Sequence, residues 1–126
     1  MEFLQFDRQE VSFVFEANKK LSCLLKLTNK TDSYIAFNWK VTDHKNYSFL
    51  PNKGILLPRL ICTTVITKRE LEKPPPDLAC NDKVLLQSTK VIESFTKNDI
   101  DMETFRKETG KVVNEVKLKV VLLLSD

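Results

Sequence analysis

The chain has 126 residues, of which 42% are hydrophobic and 29% are charged. This length suits one domain, residues 1–126, that buries roughly two-thirds of its unfolded surface, and the composition excludes collagen-like and disordered classes. The formal net charge of +3 is too small for a general polyanion binder, so nucleic acid is not an expected partner.

Period-2 alternation of apolar and polar side chains runs through the chain and predicts β-strands. The strands are predicted at residues 3–6, 11–15, 21–29, 34–42, 47–50, 60–68, 83–89 and 115–124. In the segment 21–29 the apolar face consists of Leu21, Cys23, Leu25 and Leu27. In the segment 34–42 it consists of Ile35, Phe37, Trp39 and Val41. Each strand is therefore expected to bury one face.

The connections carry turn and helix signals. Pro51-Asn52-Lys53-Gly54 predicts a tight turn in which the glycine takes a positive φ. The three prolines at 74–76 predict a stiff loop without helix or central strand. Early acidic residues and a change of period predict a short helix over 98–107, which Gly110 would end. The chain is thus predicted to be an all-β, immunoglobulin-like sandwich of seven or eight strands, with one short helix before the last strand.

The cysteines and the N-terminus predict a reduced, cytoplasmic setting. The three cysteines, Cys23, Cys62 and Cys80, form no CxxC pair of the kind found in zinc sites and redox motifs. Residues 1–3 do not open a signal peptide, and the apolar run 120–124 is far shorter than the ~20 residues that span a bilayer. No secretory or membrane segment is expected.

Two triplets match the acceptor pattern for N-linked glycosylation. They are Asn29-Lys30-Thr31 and Asn46-Tyr47-Ser48. Such triplets arise by chance and carry no meaning without a secretory signal, so no glycan is expected at either.

Catalytic and cofactor motifs are absent from the sequence. His44, the single histidine, lies in the polar turn segment 43–46, where a solvated side chain is expected rather than a general base. Cys23 belongs to an apolar strand face, and no activating partner accompanies any cysteine. With only Gly54 and Gly110, the chain has no phosphate-binding glycine loop. No enzyme activity, metal or cofactor is predicted.

The outward side chains of three predicted strands form a candidate binding surface. In a seven-stranded immunoglobulin sandwich the third, sixth and seventh strands share one sheet. Their outward positions here would form one basic face with an apolar dent, made of Lys40, Thr42, Lys83, Leu85, Lys117 and Lys119. From alternation alone, lysines that only improve solubility are favoured over a binding site by roughly two to one.

Several stretches together resemble one known family. They are the segments 25–32 (LKLTNKTD), 35–37 (IAF), 51–54 (PNKG), 75–77 (PPD), 82–88 (DKVLLQS), 101–107 (DMETFRK) and 116–119 (VKLK). In this order they are similar to the major sperm protein (MSP) domain of the VAMP-associated proteins (VAPs), and most of all to plant members. The resemblance covers nearly the whole chain, and it implies an MSP/PapD-like sandwich.

The resemblance also implies a function and site residues. Domains of this family recognise the FFAT motif, two phenylalanines within an acidic tract, on cytosolic partners. Lys40 and Thr42 match the family's peptide-contacting Lys and Thr, Lys83 matches its central basic residue, and Leu85 stands where many members carry Met. Lys117 falls at the family's basic position in the last strand, and Lys119 lies beside it on the same face. The resemblance therefore favours a binding site on this face over lysines that only improve solubility.

Four departures and two alternatives accompany this hypothesis. Positions that differ from the family pattern are Asn38, Trp39, Val41 and Leu50. Among them, the loss of an Arg at position 50 and of a Lys from the segment at 38–39 removes positive charge near the face and predicts peptide binding that is weaker, altered or absent. A self-associating structural subunit or homodimer, as in nematode members, is the alternative function, and anionic phospholipid is a less favoured ligand of the same lysines. The expected place is the cytosolic face of the endoplasmic reticulum if an anchor follows residue 126.

Overall fold

The structure is a computed structural model that describes residues 2–108 and 110–124. Nine strands lie within these residues: β1 (Leu4–Phe6), β2 (Val11–Phe15), β3 (Leu21–Asn29), β4 (Tyr34–Val41), β5 (Tyr47–Leu50), β6 (Lys53–Leu56), β7 (Ile61–Lys68), β8 (Lys83–Val91) and β9 (Val113–Leu124). Two short 3₁₀ helices, Pro76–Leu78 and Lys97–Asp99, lie in the connections.

The strands form two sheets. The four-stranded sheet has the order β1-β3-β7-β5, and the five-stranded sheet has the order β2-β9-β8-β4-β6. Neighbouring strands are antiparallel except β2 and β9, which run parallel. Two sheets packed through their apolar faces make an immunoglobulin-like β-sandwich, which confirms the predicted fold class.

The core lies between the sheets and follows the predicted alternation. In β3 the buried apolar residues are Leu21, Cys23, Leu25 and Leu27, and in β4 they include Ile35, Phe37 and Trp39. The Trp39 ring stacks on Phe49 from the opposite sheet at a centroid distance of 5.3 Å. Each such apolar side chain contributes about 1.5–3 kcal/mol when it is fully buried. The pattern that was visible in the sequence is therefore the main stabilising feature.

The predicted turn at residues 51–54 is wrong in its second half, because Lys53 and Gly54 begin β6, a strand that was not predicted. Gly54 pairs with Phe37 of β4 and does not have a positive φ. An added Cβ would lie 3.1 Å from Phe37 Cζ. Glycine is favoured here because the aromatic ring approaches the strand closely. A strand of only four residues also shows little alternation in the sequence.

The predicted helix over 98–107 is also wrong beyond its first residues. Only the 3₁₀ helix Lys97–Asp99 forms, and turns follow it. The carboxylate of Asp101 accepts hydrogen bonds from the backbone N–H groups of Glu103, at 2.9 Å, and Thr104, at 3.2 Å. Such local bonds compete with helical ones. Gly110 has a φ of +83° within the connection to β9 and ends no helix.

The proline-rich loop contains a feature that the sequence analysis excluded. Pro76 opens the 3₁₀ helix Pro76–Leu78, with Pro75 before it. Proline is tolerated in a first helical turn because the backbone N–H groups there have no helical partner. The rule against proline therefore applies to helix interiors and does not extend to this single turn.

A second, smaller apolar cluster covers part of the outer side of the five-stranded sheet. Ala36 is fully buried there beneath Ile100 and Phe105, which come from the segment after β8. Ile55, Val91, Phe95 and Val113 pack around them. This cover lies over one end of β4, β8 and β9, and the other end of the same sheet face is left uncovered.

Candidate functional site

The open end of the five-stranded sheet brings together the six residues predicted from the sequence. Lys40 of β4 pairs directly with Leu85 of β8, and Leu85 pairs with Lys117 of β9. Residues that lie directly opposite one another on neighbouring strands point to the same side of a sheet. These three side chains therefore form one row across three strands.

A second row lies beside the first. Lys83 of β8 pairs with Lys119 of β9, and Thr42 follows the end of β4. The backbone N–H of Thr42 donates to the carbonyl of Lys83 at 3.1 Å, and the N–H of Lys83 donates to Thr42 Oγ1 at 3.1 Å. We call the surface made by the two rows the lysine face: Lys40, Thr42, Lys83, Leu85, Lys117 and Lys119.

Among the described residues, the lysines of the lysine face form no ion pair at contact distance. All four lysines are exposed, whereas Leu85 is half-buried between Lys40 and Lys117. Within residues 2–108 and 110–124, no carboxylate lies within 4.0 Å of their ammonium groups. Like charges this close repel each other, so an anionic ligand would relieve that repulsion.

The carboxylate in the next row is already engaged. This row consists of Asn38, Gln87 and Glu115. Glu115 accepts hydrogen bonds from Lys107 at 2.8 Å and from Gln87 at 3.2 Å. These two donors hold the pKa of the Glu115 carboxyl below its usual value. Glu115 therefore remains charged and bound to its own partners beside the lysine face.

A pocket of about 550 Å³ adjoins the first row. It is lined by Asn38, Lys40, Lys53, Gln87, Ile100, Asp101, Met102, Phe105 and Arg106. Leu85 is not among these residues, so the cavity lies one row away from the apolar dent that the sequence predicted. The contribution of Met102, which is 88% exposed, and of Arg106 was missed because both were assigned to a helix.

The cysteine and histidine side chains, which could take part in catalysis, are either buried to some degree in the fold or exposed on their own. Cys23 is buried, and burial raises the pKa of the Cys62 thiol. His44 is exposed in the β4–β5 turn. Over the described ranges no three His, Cys, Asp or Glu side chains are grouped to hold a metal ion. In the same ranges no helix combines the length and the apolar character needed to cross a bilayer.

One buried polar network lies away from the lysine face and joins the two sheets. Tyr47 of β5 donates its hydroxyl hydrogen to Asp82 Oδ2 at 2.7 Å, and Lys68 Nζ of β7 donates to the Tyr47 oxygen at 3.2 Å. Burial, and then the bond to Asp82, raises the pKa of Tyr47 far above its usual value. With a neutral tyrosine between two charged side chains, this network has a structural role.

Comparison with known proteins adds the family. Residues 4–111 match the model of the MSP (Major sperm protein) domain. The chain belongs to the MSP domain family. It is 42% identical to vesicle-associated protein 1-4 of Arabidopsis thaliana over 120 residues, which are 95% of this chain and 21% of that protein. It is 37% identical to vesicle-associated protein 3-1 of the same plant over 98% of this chain and 83% of that protein. The predicted resemblance to plant VAPs is confirmed.

A solved structure supports the fold of this MSP domain. WR4, an MSP family member of Caenorhabditis elegans, superimposes with a TM-score of 0.71 and covers 99% of this chain and 100% of that one. The two sequences are only 17% identical, so the likeness concerns the fold alone.

Proposed function

We propose that this MSP domain is a protein-interaction module that binds short acidic peptides of the FFAT type on cytosolic partners, as an adaptor or tether at the surface of the endoplasmic reticulum. The observation that carries the proposal is the lysine face, in which four exposed ammonium groups lie around one half-buried leucine on a single sheet surface. The similarity to vesicle-associated proteins supports a role at membranes.

The two kinds of side chain on the lysine face would have separate tasks. The ammonium groups of Lys40, Lys83, Lys117 and Lys119 would attract the acidic tract and speed its encounter with the domain. A phenylalanine of the peptide would pack against Leu85 and the aliphatic stems of the neighbouring lysines. An affinity in the micromolar range, about −8 kcal/mol, is expected, because the contact is small and its charges stay partly hydrated.

The proposal covers the whole chain as one MSP domain without enzyme activity. The family match ends at residue 111, but β9 continues to Leu124 and pairs with both β8 and β2. The last strand thus belongs to the same sandwich. It also supplies Lys117 and Lys119 to the lysine face.

A titration tests the proposal. An acidic peptide with two adjacent phenylalanines is added to the wild type and to the double variant Lys40→Asp, Lys83→Asp, and binding is measured by calorimetry. We expect the double variant to lose at least about 100-fold in affinity, since two attractions become repulsions. Binding to the wild type should weaken strongly between about 50 mM and about 500 mM salt, because the charges are exposed.

The matched control is Lys26→Asp with Lys30→Asp. Both lysines are exposed and lie away from the lysine face, Lys26 on β3 and Lys30 in the turn after it. The control changes the net charge by the same amount as the test variant. If both double variants bind the peptide as the wild type does, the lysine face is not the site. If both lose binding equally, only the overall charge matters.

A second candidate function, self-association, is favoured by the opposite surface of the sandwich. Leu24 of β3, Val65 of β7 and Leu50 of β5 form a row across the outer side of the four-stranded sheet. Leu24 is 56% exposed and Leu50 is 74% exposed. Sedimentation over a concentration series separates the two functions. A monomer that binds the peptide supports the first function. A concentration-dependent dimer that dissociates in the variant Leu24→Glu supports the second.

A further inference from the structure

β6 is an edge strand, and its outer backbone groups have no partner in the part of the chain that the structure describes. It is the last strand of its sheet and pairs only with β4. The N–H of Trp39 donates to the carbonyl of Asn52 at 2.9 Å, and hydrogen-bonded pairs alternate along an antiparallel ladder. Gly54 and Leu56 therefore bond toward β4, whereas the N–H and C=O groups of Lys53 and Ile55 point away from it. Within the described residues no protein group bonds to these four.

A groove of about 460 Å³ runs along this free edge. Residues from both sides of the sheet line it. Phe37, Gly54 and Cys62 lie on the side of the core, whereas Ile55 and Phe95 lie on the outer side. Alternate side chains of an added strand would point to these two sides, and on the inner side they would meet the Phe37 ring, which lies over Gly54.

The charges along the groove have one sign. Two of its lining residues are lysines, Lys53 and Lys97, and none is acidic. Neither ammonium group has a carboxylate within 4.0 Å in the described part of the chain. Lys53 Nζ has one weak contact, to the carbonyl of Ile100 at 3.4 Å. A strand that brought acidic side chains to the outer side of the edge would meet both lysines.

We propose that the free edge of β6 binds an extended segment of a partner protein by β-strand addition, and that this segment alternates acidic and apolar residues. The partner backbone would bond to the free groups of Lys53 and Ile55. Its apolar side chains would pack against Phe37 and Cys62 on the inner side, and its acidic side chains would face Lys53 and Lys97. The groove and the lysine face share no residue, and Lys53 is their nearest link, because it also lines the pocket that contains Lys40.

Hydrogen exchange at the edge tests the proposal. The probe is a seven-residue peptide of alternating aspartate and valine with blocked ends, added to the whole ¹⁵N-labelled chain. The amides of Lys53 and Ile55 have no acceptor in the free protein and should exchange fast. We expect the probe to slow their exchange at least about tenfold. The same probe, N-methylated on the amides that face the edge, should give no protection.

Three variants make the test specific. Lys97→Glu should reduce the affinity of the probe about tenfold by placing like charges together, and the exposed control Lys30→Glu should leave it unchanged. Protection should persist in Lys40→Asp with Lys83→Asp, where the lysine face is disabled. The proposal is overturned if neither amide is protected at millimolar probe, or if the N-methylated probe protects them equally. It is also overturned if protection follows protein concentration without peptide, since a second copy of the chain would then occupy the edge.

Discussion

At the scale of single residues, the proposed peptide site depends most on Leu85. It is half-buried in a row between Lys40 and Lys117. We predict that Leu85→Asp lowers peptide affinity at least about tenfold, or about 1.4 kcal/mol, because a carboxylate would repel the acidic peptide and remove the apolar contact. Leu85→Met keeps the volume and apolar character and should bind within about twofold. Calorimetric titration measures both, and equal affinities would contradict the assignment.

Asn29 is a second residue with a clear role, and the role is structural. Its side chain is fully buried and donates to the carbonyls of Ser33, Leu56 and Leu57 at 2.8, 3.0 and 3.1 Å. Its carbonyl oxygen accepts from the backbone N–H of Thr31 at 2.9 Å. The glycosylation-like triplet is thus explained by a turn that fixes the end of β6 beside the end of β3.

We predict that Asn29→Asp destabilises the protein by about 2 kcal/mol or more, because it replaces two N–H donors with an acceptor that faces carbonyl oxygens. Urea unfolding measures this loss. The exposed Asn81 provides the matched control, and Asn81→Asp should change the free energy of unfolding by less than about 0.5 kcal/mol. Similar effects for the two substitutions would show that the bonds of Asn29 contribute little.

At the scale of elements, the two sheets are joined by an ion pair as well as by apolar packing. Lys68 Nζ of β7 lies 3.9 Å from Asp82 Oδ2, just before β8, and Tyr47 bridges them. The Lys68 side chain is only 8% exposed. A charge buried to this degree is costly without its partner.

We predict that Asp82→Ala costs about 3 kcal/mol, since it leaves the Lys68 ammonium buried and unpaired. Lys68→Met should reduce the free energy of unfolding by less, because Asp82 would still accept the hydrogen bond from the Tyr47 hydroxyl and would still contact solvent. Combining the two substitutions should recover much of the loss caused by Asp82→Ala. A double-mutant cycle by urea unfolding measures the coupling, and strictly additive losses would argue against a linked pair.

The long strands could be predicted from the sequence, but the short elements could not. In β3 the alternation of Leu21, Cys23, Leu25 and Leu27 with more polar residues extends over nine residues, so the pattern decides the structure. β6 has four residues, and its key residue, Gly54, is favoured by the Phe37 ring of a neighbouring strand. Such a tertiary reason leaves no local signal. The helix prediction failed because side-chain bonds of Asp101 favour turns.

At the scale of the whole molecule, the outer faces of the two sheets carry different sets of side chains. The open end of the five-stranded sheet carries four lysines, whereas the outer row of the four-stranded sheet is Leu24, Val65 and Leu50. An acidic partner should therefore approach one side of the domain. A +3 net charge alone would have indicated nothing of this kind.

The residues that form the rows of the candidate site could be predicted from the sequence, but the pocket beside them could not. Alternation gives the direction of each side chain, and the strand order of an immunoglobulin sandwich places Lys40, Lys83 and Lys117 on one sheet. The pocket beside Lys40 depends on how the segment after β8 folds over the sheet, which brings Met102 and Arg106 to its rim. That path is set by packing of Ile100 and Phe105 on Ala36, a contact between residues distant in sequence.

The most direct test of the central claim is to map where the acidic peptide binds. Amide shifts of the ¹⁵N-labelled chain are recorded while a peptide with two adjacent phenylalanines is added. We predict that the largest changes fall on Lys40, Leu85 and Lys117 and their neighbours in β4, β8 and β9, and that the outer row at Leu24 and Val65 stays unchanged. Largest changes on the four-stranded sheet, or none at millimolar peptide, would contradict the central claim.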